Sequence, residues 1–452
     1  MTERVDRLMM DPRRGLLMLA WPIMVSMFFS MLLNFVDFFF VGGLGPKALA
    51  GVQVSFPVFF FIIAVGSGVG IGTTALIAKR LGEKNKKWAE ETALHSFLLG
   101  GMTALLFTTM VLFVGPISNN LGGGPEVSLL AGEYMWVIFA GSIVFFLVFS
   151  MNSVLQGEGD TKTPMKISLV FTICNIVLDP IFIYTLKMGV GGAALATVLS
   201  EVVALSLYFW YLFVGKRSHL EIKPKDFIYT PQIMKNILRV GIPSAVAQMG
   251  LSVAVLGINF ILSGFGDAAI SAYGVGFRID SLAIMPILGL GAGVIPMVGY
   301  FRGTRDYAGA RKVYRLGLKL ALAFTATIGV VVLSLATLLP GIFTTDSGVI
   351  SMASGYLAII AFAYPLIGMT IILSSAFQGM GRGMPSLIIT MARAIIIAIP
   401  MAYYLAYPAG LGVVGVWLGI LLSTLFSATF SLLWIENYFR KICSRCYGSQ
   451  AS

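Results

Sequence analysis

Two aspartates stand inside apolar runs long enough to cross a membrane: Asp37, in Leu33-Asn34-Phe35-Val36-Asp37, and Asp179, in Asn175-Ile176-Val177-Leu178-Asp179. A carboxylate at the centre of a membrane helix costs about 2.5–3.5 kcal/mol to insert, so residues of this kind need a reason to be there. Asn34 precedes Asp37 by three residues and Asn175 precedes Asp179 by four, so on a helix each acid shares a face with an amide. Thr172 extends the second stripe, and Thr197, Ser200 and Glu201 recur at helical spacing further on. These stripes cannot all face lipid and are expected to converge in a polar pocket. Two chemistries suit such a pocket. A carboxyl group withdrawn from water can take up a proton and release it on hydration. The same oxygens, joined by amide and hydroxyl oxygens, also suit Na⁺, a hard cation. The residues leave both open.

The elements that must hold these acids follow from composition. The chain of 452 residues is 58% hydrophobic and 11% charged, against roughly a quarter charged in a soluble domain. About 20 apolar residues cross roughly 30 Å of hydrocarbon as a helix. Such runs lie near 15–40, 49–77, 92–115, 128–155, 165–186, 190–214, 236–263, 269–300, 313–339, 350–377, 385–407 and 411–436. The expected fold is all-α and integral to the membrane, with twelve transmembrane helices. The first run follows Arg13-Arg14, exceeds a signal-peptide core and is followed by no cleavage pattern, so it is expected to remain. The net charge of +11 is concentrated at the N-terminus (Arg4, Arg7, Arg13, Arg14) and in every second loop, including Lys84, Lys86, Lys87, Lys216, Arg217, Arg302 and Arg305. Such alternation encodes topology and argues against nucleic-acid binding; it places both termini and the central linker in the cytoplasm of a cell bounded by this membrane.

The chain is also a repeat. An offset of about 221 positions carries Pro22 onto Pro243, Gly43-Leu44-Gly45 onto Gly264-Phe265-Gly266, and Gly68, Gly70 and Gly72 onto Gly289, Gly291 and Gly293. With one residue of slippage, Gln156-Gly157-Glu158-Gly159 falls on Gln378-Gly379-Met380-Gly381. Two six-helix pseudo-symmetric lobes are therefore expected, at 1–215 and 236–439, joined by a linker at 216–235 and followed by a tail at 440–452. Six spans per half keep the two copies in the same orientation, a transporter plan with a site between halves. The acids break the symmetry, since Asp37 falls on Ile258 and Asp179 near Ile399. Pro22 and Pro243 each remove a backbone hydrogen bond at matching points and are expected to kink helices as moving parts.

Other residues are read more plainly. The run Gly66 to Gly72 loosely resembles a dinucleotide loop, but no strand precedes it, and its density of small residues fits close helix packing in lipid. Cys443 and Cys446 form only half of a zinc pattern, and Cys174 is alone, so neither a metal site nor a disulfide framework is expected. His95 and His219 read as interfacial. Arg278 and Asp280 lie two apart on different faces, and Arg393 is placed to snorkel. No phosphate-binding loop and no catalytic triad occur, so the chain is expected to be no enzyme, to carry no cofactor and to draw on an ion gradient.

The blocks around Asp37 and Gly43-Leu44-Gly45-Pro46, together with Gln156-Gly157-Glu158-Gly159-Asp160 and Asn175 through Tyr184, resemble the multidrug and toxic compound extrusion (MATE) family in its prokaryotic form, over nearly the whole chain. The resemblance implies a pair of lobes alternating between inward and outward openings while H⁺ or Na⁺ returns, with amphipathic, often cationic, organic compounds exported from a monomer in the plasma membrane. It implies that Asp37 and Asp179 couple the cation, that Asn175, Asn152, Thr197 and Tyr134 surround them, and that the helix of Asp37 bends at Pro22. Asn34 and Glu201 join this network from the reading of the residues. Leu33 stands where relatives often carry Tyr, and Glu201 where they are often apolar. Some branches carry an acid in the seventh or tenth span, and here there is none, which speaks against a cation site in the second lobe. A lipid-linked oligosaccharide flippase of the same superfamily is the alternative, expected to line its cavity with more basic residues than these spans hold.

Overall fold

Without water in the hydrocarbon layer a spanning backbone must satisfy its own hydrogen bonds, and this chain does so with helices throughout. The computed structural model describes residues 3–122 and 124–448; the side chains of Cys443 and Cys446 lie outside the described residues. After α1 (Glu3–Met10) come α2 (Pro12–Gly42), α3 (Pro46–Gly82), α4 (Lys86–Thr109), α5 (Val114–Asn120), α6 (Pro125–Ala140), α7 (Ser142–Gly157), α8 (Lys162–Pro180) and α9 (Gly189–Phe209). The second half holds α10 (Pro231–Ser263), α11 (Asp267–Gly303), α12 (Tyr307–Ser334), α13 (Ser347–Ile360), α14 (Ala363–Gly379), α15 (Gly383–Met391), α16 (Ala398–Ala406) and α17 (Gly412–Gly448). No strand occurs among the described residues. Among the described residues ten segments are long and apolar enough to cross a membrane alone, and two bent pairs, α6–α7 at 51° and α13–α14 at 55°, bring the number to twelve when each pair is taken as one span.

The fourth and tenth spans are thus broken, where the sequence suggested single rods. The two breaks fall at equivalent points of the repeat, Gly141 and Ala361–Phe362. At Gly141 the absence of a side chain admits Val198 of α9, whose Cγ2 would lie 2.6 Å from a Cβ there. Conversely, α2 and α10 run unbroken through Pro22 and Pro243. The prolines mark a different boundary. Two compact units emerge, one of Met1–Arg7 and Trp21–Ala245, the other of Leu8–Ala20 and Val246–Ser452, so α2 and α10 are each divided between units beside their prolines.

Local signals repeat with the fold. Asn85 caps α4 by accepting from Trp88 N at 3.1 Å, and its repeat counterpart Asp306 caps α12 by accepting from Gly309 N at 2.8 Å. Gly45 (φ 108°) and Gly266 (φ 89°) open α3 and α11 in a backbone region that side chains avoid. The glycine run packs as expected for lipid. A Cβ on Gly70 would meet Ser153 Oγ at 2.3 Å and one on Gly72 the Ile237 carbonyl oxygen at 2.2 Å, while in the other unit Gly291 faces Ser375 Oγ at 2.7 Å. In the second unit Trp417 lies 4.8 Å from the Tyr356 ring and 6.0 Å from that of Tyr273.

His95 departs from expectation. It is fully buried, its Nε2 accepts from Thr230 N at 2.8 Å, and its ring lies 5.0 Å from Phe227. Sequence position put it at an interface, but the segment leading into α10 folds over it. His219 stays partly exposed.

Candidate functional site

Asp37 on α2 and Asp179 on α8 meet in the first unit, with Asn175 between them. With its nitrogen turned to the acids, the Asn175 amide donates to Asp37 Oδ1 at 2.8 Å and Asp179 Oδ2 at 3.3 Å. Charge dictates that orientation, because an amide oxygen set against carboxylate oxygens would oppose acceptor to acceptor. The other end of the amide lies 3.3 Å from Thr197 Oγ1 of α9. Asp179 and Asn175 are fully buried, Thr197 nearly so, and Asp37 is partly exposed. Asp179 Oδ1 and Thr172 Oγ1 are buried with no hydrogen-bond partner among the described residues. Leaving such an oxygen dry costs about 1–3 kcal/mol, an expense that a bound proton or cation would offset.

A strut holds the pair. Pro180 follows Asp179 and leads into a π-helical turn, Ile181–Thr185, whose Tyr184 hydroxyl donates to the Phe40 carbonyl at 2.5 Å. The second unit repeats the strut, with the Tyr407 hydroxyl donating to the Ile261 carbonyl at 3.0 Å. Beside that copy sit Ile258, 2% exposed, and Ile399, which packs on Gly257. Two units built alike thus hold acids in one copy and a hydrocarbon filling in the other.

Not every residue expected in the network joins it. Asn34 is exposed and donates to the Ser30 carbonyl at 2.7 Å, its own helix satisfying it. Asn152 accepts from Gln156 Nε2 at 2.9 Å, one turn along α7. Glu201 lies one turn beyond Thr197, partly exposed, with no hydrogen bond or ion pair among the described residues. Tyr134 packs close by, against the cluster of Val41, Ala48, Ile183, Val190 and Ala193. Pro22 lies fifteen residues before Asp37 on the same helix, its carbonyl accepting from Ser26 Oγ at 3.0 Å.

Two clusters were not foreseen. In the second unit Asp280 is buried and accepts from the hydroxyls of Tyr356 and Tyr364, while Arg278 is exposed, so the two form no local pair. Their spacing of two residues carried the signal for opposite faces, but nothing in the sequence tied Asp280 to tyrosines some 80 residues away. The second cluster surrounds Glu158 and Asp160, in the block that carried the family resemblance.

The MatE family model matches residues 22–181 and 243–404, one copy in each half of the chain. The chain belongs to the MATE family. Among its relatives, the probable multidrug resistance protein NorM of Thermotoga maritima is 30% identical over 93% of this chain and 91% of its own length. A FAD transporter of Shewanella oneidensis is 28% identical, over 88% of this chain and 89% of its own. A solved structure described as a MOP superfamily transporter from Pyrococcus furiosus superposes with a TM-score of 0.94 at 32% identity, covering 98% of this chain and 99% of that one. An outward-facing multidrug resistance MATE transporter gives the same score, identity and coverage. This MATE protein is a multi-pass membrane transporter of twelve membrane spans in two lobes, and not an enzyme.

Proposed function

We propose that this MATE transporter is a secondary antiporter that exports amphipathic, often cationic, organic compounds in exchange for H⁺ or Na⁺ by alternating access in the plasma membrane. The observation that carries the reading is the Asp37–Asn175–Asp179 cluster, where two carboxyl groups share one amide and one buried oxygen has no partner. Two carboxylates so placed repel one another unless a proton or a cation lies between them. Loss of that ion to one side of the membrane returns the repulsion, and the pair can then relax only by separating or hydrating. Asp37 rides on α2, which is divided between the two compact units beside Pro22, so a change at the pair has a mechanical route along one helix. Multidrug resistance and FAD transport are the activities named for relatives, and movement of organic compounds across a membrane is common to both.

Dye efflux from proteoliposomes, under H⁺ and Na⁺ gradients imposed separately, tests the reading. One gradient should drive efflux, and Asp37→Asn or Asp179→Asn should abolish coupling while dye binding and folding persist. Efflux that ignores both gradients would refute it. Movement of a lipid-linked sugar in place of dye would favour the flippase alternative.

A further inference from the structure

The block Gln156 to Asp160 ends α7 and turns into α8, and it holds a pair of buried acids with unequal partners. Glu158 is fully buried and Asp160 is 4% exposed. Asp160 is well compensated: its carboxylate accepts from Thr163 N at 3.1 Å, from the Thr163 hydroxyl at 2.8 Å and from the Tyr211 hydroxyl at 2.8 Å, and Arg4 Nη1 of α1 lies 3.4 Å away. Glu158 has no cation within salt-bridge distance among the described residues. Its Oε2 accepts from the Ser218 hydroxyl at 2.7 Å and from His219 N at 3.2 Å, both in the segment that leads from α9 to α10. Its Oε1 is buried and accepts no hydrogen bond among the described residues, although the Leu220 N–H and Arg4 act on the same carboxylate from nearby.

We propose that Glu158 is a second proton site, separate from the Asp37–Asp179 pair, whose proton holds the linker at Ser218–His219 against the end of α7. The bound proton forms an O–H bond at Oε1, and Oε2 keeps its two donors. Ionisation leaves a charge beside Asp160 in a pocket whose nearby cation, Arg4, is paired with Asp160 and lies beyond salt-bridge distance of Glu158, so the linker must lift to admit water. The groups facing Glu158 are Asp160 in its own turn, Arg4 from α1, Tyr211 from the end of α9 and His219 from the linker, with Lys86 and Arg7 acting on His219. Burial pushes the Glu158 carboxyl up to about 7, helped by Asp160 and opposed by the Ser218 bond, Arg4 and the Leu220 backbone N–H. Asp160 is held below the usual carboxylate range, because its Tyr211, Arg4 and Thr163 partners outweigh burial. Burial and the nearby cations lower His219. The second copy of the block offers a built-in control: Met380 stands for Glu158 and Arg382 for Asp160. Nothing in this inference depends on the transport reading.

The sign follows from linkage. The closed pocket binds the proton more tightly than an opened, solvated carboxyl does, so opening becomes easier as pH rises from about 4.5 to about 7 and then levels off. Hydrogen exchange of residues 216–222, in the full-length protein in nanodiscs and corrected for intrinsic rates, reads that opening. From pH 5.5 to 7.5 protection in the wild type should fall about twentyfold, at close to tenfold per unit until the carboxyl ionises. Glu158→Gln, and Glu158→Met as in the second copy, should make protection independent of pH. His219→Gln should leave the wild-type dependence intact. A wild-type protection that does not change with pH overturns the proposal. So does a dependence that survives in folded Glu158→Gln, or one that vanishes in His219→Gln.

Discussion

Replacing Gly72 by alanine tests how closely α3 and the first half of α10 are packed. A Cβ at Gly72 would lie 2.2 Å from the Ile237 carbonyl oxygen, where real contacts essentially never fall below 3.0 Å, and 3.2 Å from Ile237 Cγ2. The obstacle is backbone and cannot rotate away, so the helices must part by about 0.8 Å, the shortfall against that limit. A gap of 0.5–1 Å forfeits about a quarter to a half of each dispersion contact, and the contacts at risk are those of Val69, Leu76, Leu99, Ile233 and Ile237, all buried in one cluster. With some twenty such contacts at about 0.15 kcal/mol each, the loss is about 1 kcal/mol, and residual strain brings the cost to about 1–3 kcal/mol. Gly101 of α4 is the control, since a Cβ there meets nothing within 4 Å. Gly101→Ala should be neutral or stabilise by up to about 1 kcal/mol through helix propensity. Reversible unfolding in mixed micelles measures both. If Gly72→Ala matches the wild type within about 0.5 kcal/mol while Gly101→Ala behaves as expected, the close approach of α3 and α10 is refuted.

Further outcomes follow from the same structure. Tyr364→Phe should cost about 1–3 kcal/mol in unfolding free energy by leaving the buried Asp280 with Tyr356 as its sole remaining hydroxyl donor, and Tyr364→Phe with Asp280→Asn should be less than additive; additive losses would deny the contact. His95→Ala removes the acceptor for Thr230 N and the ring beside Phe227, and should speed protease cutting within 216–230 severalfold while leaving dye efflux measurable; an unchanged cutting rate would count against the role given to His95. Asp160→Asn should destabilise the protein at pH 7. Because the Asp160 pKa is depressed, its contribution is fully present above the ordinary value of 3.8 and is lost as pH falls through the lower folded value, so variant and wild type should converge in strong acid. Equal gaps between their thermal midpoints at pH 7 and in acid well below the depressed Asp160 value would contradict that account.

Much of this protein was settled by the order of residues. Apolar runs of membrane length, basic loops in alternation and an offset that superposes Pro22 on Pro243 required a helical bundle in two copies, because a backbone in lipid has so few ways to satisfy its hydrogen bonds. The cost of a charge in hydrocarbon singled out Asp37 and Asp179 before any contact was known. Tertiary structure decided what one-dimensional spacing cannot encode. Asn175 reaches both acids, whereas Asn34 and Asn152, amides of the same chemistry, turn to partners one helical turn away on their own helices. Equal periodicity cannot separate these outcomes, since they depend on which neighbouring helix faces each side chain. The fourth and tenth spans break at Gly141 and Ala361–Phe362, while α2 and α10 pass through their prolines, because a neighbour such as Val198 of α9 acts on a helix as strongly as its own residues do. For Asp280 and Glu158 the sequence offered only acids. Two tyrosines from α13 and α14 satisfy the first, and the linker covers the second and leaves one oxygen bare, because burial and hydrogen bonding are properties of assembled neighbours.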